Sequence, residues 1–260
     1  MAPFSQSKIS GATQFCENRS IAEPKSVTAT QPDVGTVPAA TAGGTKSFSG
    51  YEWRSGSYEK AVTRFTQPHV SGAGSFSDWV GLNGTSDGTA DRLVQAGADT
   101  LGRPFWELYC SGGSSYGCNS AQIDSKNIAS PGDTVSVSVS FNPATFLSYY
   151  AVSINGAQVV NVEYLMKKGS HSGDVAEWLA ERPNGSPVPL FGTVQFSGWN
   201  AYRVWNSNTP VSYASQTKFA DEMTENGVFY APPCSTSSNI IMYPNHITSS
   251  GFQNNFCRTL

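Results

Sequence analysis

The chain has 260 residues and a formal net charge of -3, with 25 Gly, 15 Pro and only 13% charged residues. That length suits one all-β domain, since sandwiches and barrels often reach it as single domains. The charge leaves no basic footprint for nucleic acid and no polybasic membrane anchor, and no apolar run approaches the roughly 20 residues that span a bilayer.

Residues 1–48 are rich in Ser, Thr, Ala, Pro and Gly, and their apolar residues show no periodicity. Pro24, Pro32 and Pro38 with Gly43 and Gly44 read as a linker, a pro-segment or an extended arm. The domain proper is expected over 49–260. The first eight residues lack the apolar core of a signal peptide, so a secreted protein would be one whose signal is not in this chain.

Beyond Phe48 short β-branched and aromatic runs alternate with turn signals, at 61–66, 78–82, 93–99, 105–109, 134–141, 150–154, 158–164, 175–182, 191–196 and 239–243. With turns such as Asn155-Gly156 and Pro131-Gly132-Asp133, this spacing predicts a β-sandwich. The one helical suggestion is a turn near residues 219–222.

Two of these strands carry unusual side chains. The period of two puts Val175, Glu177, Leu179 and Glu181 on one face, and glutamate is depleted in strands. In the same way Leu93, Gln95, Gly97 and Asp99 share a face, as do Ser77, Trp79, Gly81 and Asn83, and Phe105, Glu107 and Tyr109. Joined, these faces would make a sheet lined by aromatics, carboxylates and amides. Such a face suits either a glycan-binding groove or a catalytic, peptide-binding one. Taken singly, Trp53, Trp79, Trp106 and Trp178 read as core residues.

Other chemistries fit less well. The five cysteines, Cys16, Cys110, Cys118, Cys234 and Cys257, form no C-x-x-C and have no His at metal-ligand spacing, which argues against zinc. A disulfide could close the Gly/Ser loop between Cys110 and Cys118, and another could tie Cys234 to Cys257, leaving Cys16 over; spacing leaves the connectivity open. Plausible disulfides and low charge favour an extracellular setting. Residues 113–117 match the G-x-S-x-G nucleophile elbow but lack its strand before and helix after. His69, His171 and His246 fit no metalloprotease pattern. N-x-S/T sequons at Asn18, Asn83 and Asn184 are short enough to arise by chance.

Six segments in order do resemble a known family. They are Trp-Val-Gly-Leu-Asn-Gly at 79–84, Val-Gln-Ala-Gly-Ala-Asp at 94–99, Phe-Trp-Glu-Leu-Tyr at 105–109, Gly-Asp-Thr-Val-Ser-Val at 132–137, Ala-Glu-Trp-Leu-Ala-Glu at 176–181 and Phe-Gly-Thr-Val-Gln-Phe at 191–196. They are similar to the landmarks of the glutamic peptidases called eqolisins. Residues 50–53 resemble that family's opening Trp segment, and 221–229 a late hairpin.

The resemblance implies a sandwich of two bent antiparallel sheets, a concanavalin-like jelly roll, and endopeptidase activity in acid without metal or cofactor. It implies Gln95 and Glu177 as the catalytic pair, with Trp53, Trp79, Asn83, Asp99, Glu107, Tyr109 and Trp178 binding substrate or supporting the site. The partners expected are protein or peptide substrates, with no nucleic acid or membrane, and the protein is expected to be a secreted monomer. If Asp99 and Glu107 lie near Glu177, repulsion and burial would raise carboxyl pKa values and poise the site for acid. Asn83 and Arg103 stand where acids are common in the family, and Leu108 replaces an aromatic; these departures put substrate choice and pH optimum in doubt. The rivals are a lectin-like module binding glycans in the same groove and a glycosidase using Glu107 and Glu177.

Overall fold

A computed structural model describes residues 27–28, 41–54, 56–83, 92–110, 120–166, 173–182, 187–230, 234 and 237–257. Their strands are β1 (Val27–Thr28), β2 (Thr41–Thr45), β3 (Phe48–Arg54), β4 (Lys60–Thr66), β5 (Ser77–Leu82), β6 (Arg92–Asp99), β7 (Pro104–Cys110) and β8 (Ser120–Ile123). The second half adds β9 (Thr134–Asn142), β10 (Leu147–Ile154), β11 (Ala157–Leu165), β12 (Val175–Glu181), β13 (Thr193–Tyr202), β14 (Thr217–Thr224), β15 (Ile240–Thr248) and β16 (Gly251–Phe256).

The strands hydrogen-bond in one continuous path, β11-β10-β9-β4-β13-β16-β15-β14-β3-β12-β5-β6-β7-β8. Every pairing along it is antiparallel, and β2 adds to β14 in parallel. The path bends back on itself, so that β5 and β6 pack on β9, β6 and β7 on β10, and β7 on β11. The result is the expected sandwich, whose two layers are continuous through β13–β16–β15–β14. By pairing β2 with β14, the sheet takes in residues 41–45 of the stretch read as an arm.

Local chemistry explains most of this. In β9, Val135, Val137 and Val139 are buried while Ser136 and Ser138 are half-covered, the alternation of a strand with one face on the core. The β10–β11 hairpin turns at Asn155 and Gly156, both at positive φ (49° and 83°), as a two-residue type I′ turn requires. β6 and β12 are buried along their whole length. They are covered on both faces, so their sequences read as small and apolar residues around a few polar ones.

The core lies between the layers. Trp53, Trp178 and Trp199 meet there with ring centroids 4.9–5.2 Å apart, beside Phe65, Phe196 and Phe252. Residues 219–222, expected as a helical turn, belong instead to β14. Pairing with β3 on one side and β2 on the other overrides a charge pattern that looks helical. Cys234 and Cys257 form a disulfide. Cys16, the Cys110–Cys118 pairing, the 113–117 motif, His171, Asn18 and Asn184 lie outside the described residues. Among those residues no helix is long and apolar enough to cross a membrane.

Candidate active site

Antiparallel register builds the site. Phe219 of β14, Glu52 of β3, Glu177 of β12, Gly81 of β5, Gln95 of β6 and Glu107 of β7 face one another in a single cross-strand row. Neighbouring strands are about 4.8 Å apart, so the Cα atoms of Glu177 and Gln95 stand about 10 Å apart with only Gly81 between them. Gly81 has no side chain to fill that gap. A Cβ there would sit 2.7 Å from Trp79 Cζ3 and 2.9 Å from Leu93 Cδ1. The Glu177 carboxyl and the Gln95 amide thus flank a position where no side chain projects and where an indole and a leucine lie close.

Polar contacts hold the row on both sides of the Glu177–Gln95 pair. Gln95 Nε2 donates to Glu107 Oε2 at 2.8 Å. At the other end Arg54 Nε donates to Glu52 Oε2 at 2.6 Å, and the Arg54 guanidinium lies 3.9 Å over the Phe219 ring. Glu52, Glu177 and Gln95 are fully shielded from solvent, and Glu107 is nearly so.

Adjacent rows supply the walls. Phe48, Trp79, Leu93, Phe105 and Leu179 form a small apolar cluster on this face, with Tyr109 packed against it. Trp79 Nε1 donates to Glu181 Oε2 at 3.0 Å, which fixes the indole. Asn83 follows β5 at φ 67°, and its N–H donates to the Val175 carbonyl at 2.9 Å.

Three expected residues sit elsewhere. Trp53 and Trp178 are on the opposite face of their strands, in the core, where Trp178 Nε1 donates to the Val62 carbonyl at 2.8 Å. The aromatic that β3 turns toward the site is Phe48, edge-on to Trp79 with centroids 6.4 Å apart. Asp99 does not join Glu177: it lies four residues beyond Gln95, about 13 Å along β6. It is held in a turn by Arg103, Nε to Oδ2 at 2.7 Å, and by the N–H groups of Leu101 and Arg103 at 2.9 Å each. The acid that does neighbour Glu177, Glu52, was not among the candidates. Its parity could have revealed it, since a strand whose Tyr51 and Trp53 face the core must turn Glu52 to the other side.

Glu107 lies three strands from Glu177, about 14 Å between Cα atoms, and is turned to Gln95. Two further acids are perturbed. Burial pushes the carboxyl of Asp78, on the core face of β5, well above its usual range. Burial also pushes Glu222 up to about 7, against the opposing hydrogen bond from the Tyr230 N–H.

Fold and site together define a class: an antiparallel β-sandwich carrying a glutamate–glutamine pair on one sheet face. The model of the peptidase A4 family matches residues 46–242, and the chain belongs to that family, the eqolisins; it is a glutamic endopeptidase. Among solved structures it is similar to scytalido-glutamic peptidase bound to a transition-state analogue inhibitor, at 14% identity and a TM-score of 0.58, covering 81% of this chain and 98% of that one. It is also similar to SCP-B, an eqolisin in complex with the tripeptide Ala-Ile-His, at 14% identity and a TM-score of 0.54 over the same shares. At such identities the likeness concerns the fold. No curated protein sequence matches the chain.

Proposed function

We propose that Glu177 and Gln95 hydrolyse a peptide bond as a pair. The observation that carries this reading is their shared cross-strand row, with only the side-chain-free Gly81 between them. The Glu177 carboxylate takes a proton from that water as its oxygen bonds to the carbonyl carbon. Gln95 N–H stabilises the oxyanion that forms, and its amide oxygen helps orient the water. Glu177 then passes its proton to the leaving nitrogen as the C–N bond breaks, returning the site to its starting state.

The substrates on this reading are protein or peptide chains, with the apolar cluster around Trp79 receiving a substrate side chain. We also read the protein as secreted, supported by the Cys234–Cys257 disulfide, and the part of the 1–48 segment that precedes Thr41 as a pro-segment. Since β2 pairs with β14, processing would cut before Thr41.

The test is cleavage of a denatured protein across the carboxylate range, about pH 2 to 7, by wild type, Glu177→Gln and Gln95→Ala. Wild type should cleave on the acid side, Glu177→Gln should be inactive, and Gln95→Ala should lose on the order of 10²–10³ in rate. A folded Glu177→Gln enzyme that still cleaves would sink the assignment. Glycan binding without any cleavage would move the site to the lectin-like class.

A further inference from the structure

Glu52 stands directly opposite Glu177, and both side chains are fully buried. Like charges facing each other across an antiparallel pair are destabilising, so the facing Glu52 charge is unfavourable for a charged Glu177. A mechanism that starts from a Glu177 carboxylate therefore needs a cation close by. Register supplies one candidate: Arg54 is two residues beyond Glu52 on the same face of β3, and so the diagonal neighbour of Glu177. Diagonal neighbours lie about 7–8 Å apart, within reach of a long side chain.

The charges around Glu177 can be named strand by strand. β3 brings Glu52 and Arg54, and β14 brings Asp221, opposite Gly50. β12 itself carries Glu181 two rows away, bound by Trp79. β5 and β6 offer the uncharged Gly81, Asn83 and Gln95, and β7 offers Glu107, bound by Gln95. Burial pulls the Arg54 guanidinium down, yet Glu52, Asp221 and Glu177 together more than offset it and leave it raised. The side chain is held at two points, by Glu52 at 2.6 Å and over the Phe219 ring at 3.9 Å. It is one-quarter exposed. A planar, delocalised guanidinium both stacks on a ring and offers further N–H groups at its edges, though the counter-charge itself needs only a cation.

We propose that Arg54 is the counter-charge of Glu177: a positioning residue, held by Glu52 and Phe219, that sets the pH at which peptide cleavage begins. This rests on Glu177 acting as the base. Glu52 has two effects of opposite sense, since it orients Arg54 but also places a negative charge across from Glu177.

The experiment is the acid limb of kcat/KM, which reports ionisation in the free enzyme, for wild type, Arg54→Gln, Arg54→Lys and Glu52→Gln, with Glu177→Gln as control. An opposite charge within about 4–6 Å moves a carboxylate by about 1–3 pH units. With Arg54 partly in solvent, its loss in Arg54→Gln should move the limb up by about one unit. Arg54→Lys should restore it, and Glu52→Gln, which keeps the cation and removes the facing anion, should move it down.

A merely structural Arg54 would lower kcat/KM at all pH values and leave the limb in place, and that result overturns the proposal. Should Arg54→Gln fail to fold, Arg54→Met, which keeps the stem over Phe219 and removes the charge, reads the same coupling, and an unmoved limb there overturns it equally. An active Glu177→Gln would remove the base and the proposal together. An inactive Glu177→Gln with unmoved limbs in the other variants would overturn the counter-charge alone.

Discussion

Gln95 Nε2 donates to Glu107 Oε2 at 2.8 Å across the β6–β7 ladder, and this bond decides which edge of the amide meets which partner. A carboxylate accepts only, so Glu107 selects the NH₂ edge of Gln95 and orients the amide oxygen away from itself. Glu107→Leu removes that selection and lets the amide turn over. A hydrogen bond to a charged group is worth about 1.5–3 kcal/mol, so kcat should fall by ~10–100-fold. KM should change little, because the Glu107 carboxylate is turned to Gln95. A fall confined to KM would make Glu107 a binding residue instead.

Gly81 is the spacer of the site. A methyl at this position would crowd Trp79 Cζ3 at 2.7 Å and Leu93 Cδ1 at 2.9 Å, and would enter the gap between Glu177 and Gln95. Gly81→Ala should cost about 1–3 kcal/mol by overpacking, read as a lower midpoint in denaturant. Activity should fall well beyond what the unfolded fraction explains. Gly97→Ala, whose Cβ would meet the backbone carbonyl of Asp78, should lose stability first. A fully active, stable Gly81→Ala would show that the gap holds nothing during turnover.

Much of this site is legible in the sequence, because a strand fixes which residues share a face. The parity of residues 175–181, 93–99, 77–83 and 105–109 alone aligned Glu177, Gln95, Gly81 and Glu107 on common faces, and the register joined them. What parity could not supply was the order of strands, so Glu52 and Asp221, brought by β3 and β14, went unseen. Asp99 was misplaced for the same reason: sharing a face with Gln95 says nothing of the 13 Å or so between them. β14, with the sequence TKFADEMT, and β16, with GFQNNF, carry too many polar residues to read as strands. They are strands because neighbours on both sides take their backbone groups.

The Cys234–Cys257 bond ties the segment after β14 to the end of β16, across a sequence separation of 23. On chain-entropy grounds a loop of that size is worth about 3 kcal/mol. Cys234→Ala with Cys257→Ala should lower the denaturant midpoint by that order while leaving the pH profile of cleavage in place. The site strands β12, β5, β6 and β7 are not part of the closed loop. Equal stability with and without a reductant would show that the bond constrains nothing.

Stability itself should depend on pH through Glu222. Its carboxyl is buried beside β2 and β3, and burial pushes it up to about 7, from an unfolded value of about 4.3. The folded chain therefore holds the proton more tightly than the unfolded one. The stability this confers is fully present below about pH 4 and is lost as pH rises through about 7. At about 1.4 kcal/mol per unit, the loss is at most ~3–4 kcal/mol. Asp78, pushed well up by burial, acts in the same direction. Unfolding free energy measured between about pH 4 and 8 should thus decline toward neutrality. Glu222→Gln, which keeps the shape and removes the titration, should flatten much of that decline, and adding Asp78→Asn should flatten more. A Glu222→Gln curve parallel to wild type would show that Glu222 stays ionised in the fold.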